Sequence, residues 1–280
     1  MKNLLSLKSF AAIFFIASSS VSSAGLMVTE VIGKVEIVGK GSVKTLAQIP
    51  DGSHLELLAG STLAVVDLAS GREFILQGKN TYLTSAAGPT TADGKPVPAK
   101  TQVASNLKDV RVSTGKLSQA TLVMRGTPTD RLPVLLFPLR TAVISVLPQL
   151  SWEPVKAATS YQLEITKLDG SLVWKTVTTQ TTVSVPESHL LQTEEKYSWR
   201  VAAIGAEGKL SDSASRFTVA SKESIDNLNL LLPLVDSSFS RKVLFATQLQ
   251  EVGAVQQAKD MWKALSLEKP EDEVLADLAK

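Results

Sequence analysis

Between Leu150 and Val219 the chain carries runs in which apolar and polar residues alternate. Tyr161, Leu163 and Ile165 alternate with Gln162, Glu164 and Thr166; further on, Tyr197, Trp199 and Val201 alternate with Ser198 and Arg200. Successive strand side chains point to opposite faces, so each run has one face to bury and one to leave wet, the pattern of an antiparallel sandwich. Turn-forming residues separate the runs at Asp169-Gly170, Pro186-Glu187 and Gly205 to Gly208. The centre of the chain is therefore expected to be β, and the flanking parts are defined by where this stretch stops.

The residues Leu150-Ser151-Trp152-Glu153-Pro154-Val155, then Tyr161-Gln162-Leu163, then Leu191 with Tyr197 six positions on, resemble a bacterial fibronectin type III module. The resemblance implies that Trp152 is a core aromatic of an early strand. It also implies that Tyr197 is a corner tyrosine whose hydroxyl bonds back to the preceding backbone. Such a sandwich hosts many functions and dictates none.

The N-terminus reads differently. Lys2 and Lys8, the apolar run Phe10 to Ile16, and Ser22-Ser23-Ala24 before Gly25 form a basic start, a short greasy middle and small residues at a cut. That is the pattern of a secretory signal peptide over residues 1–24, cleaved near Ala24, with an uncleaved anchor as the alternative. The apolar middle is shorter than the roughly 20 residues a membrane span needs. No later stretch is expected to span, since Asn229 and Pro233 interrupt the run from Leu228 to Leu234.

Lys and Arg total 29 against 27 Asp and Glu, and without Lys2 and Lys8 the charges balance at 27 each. Nothing there recruits nucleic acid or anionic lipid. The chain has no cysteine, which excludes disulfides, thiolate metal sites and a lipid-modified cysteine. Export without cysteine fits a bacterial periplasm, where stability must come from burial. With 44% hydrophobic residues, the roughly 250 that remain after cleavage suffice for two small domains and an extension.

From Val28 to Val38 the alternation is loose, and Gly39-Lys40-Gly41-Ser42 turns the chain. Strands are expected at His54–Leu58, Thr62–Leu68 and Glu73–Leu76, with Ala59-Gly60-Ser61 and Ala69-Ser70-Gly71 as hairpin connections in a small meandering domain. The series Gly33-Lys-Val-Glu-Ile37, Pro50-Asp51-Gly52, Leu57 to Gly60, Ala64 to Leu68, Gly71 and Phe74-Ile-Leu76 resembles the FecR-type periplasmic domain. It departs at Ser70-Gly71, where that family has an acidic residue before glycine. Residues 86–100, rich in Ala, Gly, Thr and Pro, read as a solvated insertion. A short helix is expected at Gln102–Val110 and a strand at Ala120–Met124, before a boundary near residue 130. The organisation expected is a signal peptide over 1–24, a FecR-like β-domain over 25–130, a fibronectin type III-like sandwich over 131–220 and a helical tail over 221–280.

In the tail the period lengthens. Phe239, Leu244, Phe245 and Leu249 recur at helical spacing, Gly253 interrupts, and Val255, Ala258, Met261, Trp262 and Leu265 form a second stripe ended by Pro270. Ala246, Leu249, Gly253, Ala258, Trp262, Leu265 and Pro270 make this hairpin resemble one tetratricopeptide repeat, with departures at Lys242 and Leu265. One repeat cannot bury its own face. Either Ile225–Leu232 and Val274–Leu278 cap it or a partner covers it.

Chemistry is sparse. His54, in Asp51-Gly-Ser-His-Leu-Glu56, has the ingredients of a general base but no nucleophile elbow. His189 lacks partners for a metal. Gly39-Lys40-Gly41 departs from a phosphate loop, since a Ser or Thr should follow the lysine. Asp67 and Glu73 read as charges flanking a hairpin, with paired glycosidase carboxylates as the rival. Trp152, Tyr161, Trp174, Tyr197 and Trp199 read as sandwich core, with an exposed glycan-stacking face as the rival, for which Trp174 is the first candidate. The chain is thus expected to be mainly β, non-enzymatic and free of cofactor and metal. It would bind or scaffold an envelope protein, or a glycan such as peptidoglycan. Phe245, Leu249, Trp262, Leu265 and Trp174 are its candidate partner-facing residues. An envelope signal regulator of the FecR-like class and a glycan-active enzyme using His54 or Asp67 are the alternatives.

Overall fold

The computed structural model describes residues 25–103, 132–232 and 237–280. The expected signal segment, the strand at 120–124, the boundary near residue 130 and positions 104–110 of the expected helix lie outside the described residues. The first residue of that helix, Gln102, is in a strand.

The fold is mainly β. Its first part holds β1 (Leu26–Ile32), β2 (Val35–Ile37), β3 (Gly41–Ser42), β4 (Gln48–Ile49), β5 (His54–Leu57), β6 (Thr62–Asp67), β7 (Arg72–Gln77), β8 (Asn80–Leu83), β9 (Thr90–Thr91) and β10 (Thr101–Gln102). They form two five-stranded sheets, β10-β7-β6-β1-β4 and β3-β2-β5-β8-β9. The two sheets share a core in which Leu26, Val28, Leu63, Val65, Phe74 and Leu76 of the first meet Val35, Leu55, Leu57 and Tyr82 of the second.

Two expectations are corrected here. Ala59-Gly60-Ser61 is not a hairpin: β5 and β6 belong to different sheets, and the chain crosses between them at this corner. It crosses again between β1 and β2, at Gly33. The corners hold each other, because Ser61 Oγ accepts the Lys34 N–H at 2.9 Å and donates to the Lys34 carbonyl at 3.0 Å. Gly33 has φ +76, and a Cβ there would lie 2.6 Å from Ser61 Oγ, so only glycine fits. Residues 86–100 are also more than a solvated insertion. Thr90 and Thr91 add β9 to the edge of β8, and the Lys100 N–H donates to the Glu73 carbonyl at 2.8 Å.

The second part comprises β11 (Leu135–Phe137), β12 (Thr141–Val143), β13 (Gln149–Trp152), β14 (Ser160–Lys167), β15 (Leu172–Thr178), β16 (Thr182–Ser184), β17 (Lys196–Gly205) and β18 (Gly208–Val219). A three-stranded sheet, β11-β13-β16, faces a five-stranded one, β12-β18-β17-β14-β15, as a fibronectin type III-like sandwich. The period-two runs place Leu163, Ile165, Tyr197, Trp199 and Val201 in its core with Leu150 and Trp152. The Trp152 ring meets Tyr161 edge-on at 5.4 Å. Tyr197 Oη accepts the Gln192 N–H at 2.9 Å, closing the corner its spacing implied.

The chain ends in α1 (Lys222–Leu231), α2 (Phe239–Glu251), α3 (Val255–Glu268) and α4 (Glu273–Leu278). Gly253, at φ +77, stops α2 in a Schellman turn: its N–H donates to the Gln250 carbonyl at 3.1 Å and the Ala254 N–H to that of Leu249 at 2.9 Å. Ser221, Ser238 and Asp272 cap α1, α2 and α4 with side-chain oxygens. Leu228 and Leu231 of α1 and Leu275 of α4 pack on the α2–α3 hairpin.

Candidate functional site at the junction of three parts

The hairpin's apolar face meets the chain's own first sheet. Val243, Leu244, Phe245, Leu249, Ala258, Trp262 and Leu265 share one core with Met27, Leu46, Val66, Leu68 and Val103. In β1, Leu26 and Val28 face the other sheet while Met27 faces the helices; β6 divides likewise between Val65 and Val66. This sheet is buried on both sides, which explains why Leu63-Ala64-Val65-Val66 is a continuous apolar run.

The candidate partner-facing residues are therefore occupied internally. Leu249, Trp262 and Leu265 are at most 1% exposed and Phe245 5%, all in this shared core. Trp174 lies elsewhere, in the sandwich core and 8% exposed, because its side of β15 turns inward. All four tryptophans are buried. None offers a ring on which a sugar could stack.

Polar contacts fix the register of this docking. Ser240 of α2 donates to Glu73 Oε1 at 2.5 Å and lies 2.6 Å from Thr29 Oγ1, which donates to the Ala64 carbonyl at 3.3 Å. Thr45 donates to the Asp272 carboxylate, and Arg241 donates to the Val103 carbonyl at 3.0 Å. Lys269 forms an ion pair with Glu30 of β1. The hydrogen bond to Glu30 holds the Lys269 ammonium above the usual lysine pKa of 10.5, against a smaller opposing effect of burial. A raised folded-state value means that the stabilisation is complete below the unfolded lysine's pKa and lost as pH rises through the folded one. Lys269→Met is expected to cost about 1 kcal/mol at neutral pH. Urea unfolding from pH 8 to pH 11 should show the gap between wild type and variant closing only above the ordinary lysine range.

The same helices also grip the sandwich. The Gly253 carbonyl accepts from the Ala142 N–H at 2.8 Å and from Thr141 Oγ1 at 3.2 Å. The Gln256 amide accepts the Leu139 N–H at 2.6 Å and donates to the Leu136 carbonyl at 2.8 Å. Where β18 runs into α1, beside the entry to β12 and the α2–α3 turn, these parts enclose an open cleft of about 810 Å³. Arg140, Lys196 and Arg216 line it with Glu194, Leu168 and Val252. The three cations are exposed, and none has an ion-pair partner among the described residues. Sequence reasoning missed all three; outward-facing strand residues such as Arg216 look like ordinary surface.

The candidate catalytic groups are not brought together. Asp67 is committed to its own turn: it accepts from the Ala69 N–H at 3.0 Å and from Ser70 Oγ at 2.5 Å, with Arg72 at 3.6 Å. Glu73 is buried under α2. His54 opens β5 with its side chain exposed, and His189 sits on an exposed turn with Nδ1 2.9 Å from Ser188 Oγ. Gly39-Lys40-Gly41 is the β2–β3 turn, in which the Lys40 N–H donates to the Ile37 carbonyl at 2.9 Å. Among the described residues no group of three or more His, Cys, Asp or Glu could hold a metal, and no helix is long and apolar enough to cross a membrane.

No protein-family model matches the chain, and no curated protein does. Among solved structures, the FN5 domain of Drosophila Lar is similar at 23% identity and TM-score 0.25, over 32% of this chain and 96% of that one. A Fn3-like protein from Clostridium thermocellum is similar at 17% and 0.24, over 32% and 95%. CopC from Methylosinus trichosporium OB3b is similar at 20% and 0.25, over 32% and 95%.

Proposed function

We propose that this is an exported, non-enzymatic protein of the bacterial envelope, serving as a rigid binding scaffold. The observation that carries the reading is the use made of the helical tail. Its apolar stripe completes the first sheet, and its central turn is bonded to the sandwich through Gly253 and Gln256. A tail spent in this way fixes two β modules in one geometry, leaving their outer faces and the cleft between the sandwich and the tail for partners. The signal-peptide pattern and the absence of cysteine support the periplasmic address. The separate commitments of Asp67 to its own turn and of Glu73 to Ser240 support a role other than catalysis.

Two measurements on cells producing the full chain test this. Osmotic-shock fractionation with N-terminal sequencing should recover mature protein beginning at Gly25; a leader-bearing chain in the cytoplasm would remove the address. Cross-linking in the shock fraction should give a discrete adduct with another envelope protein, equally for wild type and for a His54→Ala/His189→Ala variant. Absence of an adduct, or an activity lost with either histidine, would end the scaffold reading.

A further inference from the structure

The cleft's cations form a row. Tyr197 and Phe217 point into the sandwich core, so Lys196 and Arg216 beside them stand on the outer face of the sheet, Lys196 opposite Thr218 and Arg216 opposite Ser198. Arg140 follows on the next segment, its backbone N–H donating to the Arg216 carbonyl at 2.9 Å. With neighbouring strands about 4.8 Å apart, the row extends on the order of 10 Å. Like charges on adjacent strands repel, and Glu194 is the one carboxylate among the lining residues to offset them. Two lining residues, Arg140 at φ +48 and Glu194 at φ +62, also hold left-handed backbone, at about 1–3 kcal/mol each. The repulsion is unfavourable for the fold and is relieved by a captured anion, and backbone strain of this kind is concentrated at ligand-binding sites.

We infer that the cleft binds an extended acidic segment of a partner protein, its carboxylates paired with Arg140, Arg216 and Lys196. The length of the row decides against a single phosphate group, and suits carboxylates two residues apart on an extended peptide, about 6.8 Å. Leu168 and Val252 add apolar wall for the intervening residues. Sugar rings and nucleic-acid bases bind by stacking on exposed aromatics, and the one aromatic in the lining, Phe217, is 2% exposed. A volume of about 810 Å³ admits a short peptide segment.

Calorimetric titration of the mature chain at low salt tests this, with N-acetylated, C-amidated hexaglutamate as probe and hexaglutamine and pyrophosphate as comparisons. Hexaglutamate should bind more tightly than either, with affinity falling as salt rises. Arg216→Gln and Arg140→Gly should each weaken it about tenfold, while Lys40→Gln, on the remote β2–β3 turn, should leave it unchanged. Arg140→Gly does not threaten the fold, because glycine adopts φ +48 without steric cost. No binding of hexaglutamate, equal or tighter binding of either comparison, or undiminished affinity in both cleft variants would overturn the inference. The assignment deepens the binding role proposed above and rests on it. An envelope adduct that persists while hexaglutamate fails to bind would remove the cleft alone.

Discussion

Trp262→Ala is expected to lower the unfolding free energy by about 3–5 kcal/mol and to destabilise the first β-part along with the tail. Trp262 is fully buried at the centre of α3, and its Nε1–H donates to Gln250 Oε1 at 3.1 Å, so the truncation removes both the packing of the ring and this hydrogen bond. The core that loses the ring is shared: Met27, Val66 and Leu68 of the sheet lie in it with Leu244, Leu249 and Leu265 of the helices. A cavity there loosens both layers at once. The sandwich has its own core around Trp152 and Trp199 and should hold. Urea unfolding followed by hydrogen exchange separates the two: amides of β1 and β6 should lose protection with those of α2, ahead of β14 and β17. A loss below about 1 kcal/mol, or protection lost in the helices alone, would mean that the sheet does not depend on the tail.

The sandwich was legible because its information is local. Period two names the inward residues, and Tyr197 carries its own corner with Gln192 five positions back. The helical stripes were legible for the same reason, and the interruption at Gly253 falls where the turn is. A stripe states that a face is covered without stating by what: Thr29 and Ser240, which meet in the docked interface, are 211 residues apart. The sign that was available is the unbroken run Leu63-Ala64-Val65-Val66, since a strand wet on one face would have alternated. The corner at Ala59-Gly60-Ser61 was misread because small and glycine residues suit a hairpin and a sheet crossing equally well; only the bonds from Ser61 to Lys34 distinguish them. The cleft was illegible, its cations coming from three segments that only the sandwich fold makes neighbours.

Ending the chain at Ala220 is expected to have the larger effect. It removes all four helices and exposes Met27, Leu46, Val66, Leu68 and Val103 together on one face. Each such side chain contributes about 1.5–3 kcal/mol when buried, so several lost at once rival the whole stability of a domain, about 5–15 kcal/mol. Glu73 loses the hydroxyl of Ser240 and Glu30 its lysine, but solvent replaces both, so the apolar face decides the outcome. The first β-part should then bind hydrophobic dye, associate, and be cut by protease within β1 to β10. The sandwich loses edge contacts, those of Leu136, Leu139, Thr141, Ala142 and Ile225, keeps its own core, and should survive digestion as a fragment beginning near Leu132. Proteolysis with mass mapping reads both halves in one experiment. A truncated chain that stays monomeric and yields a resistant fragment covering β1 to β10 would show that the two sheets stand without helical cover, and the tail would then be free to dock elsewhere.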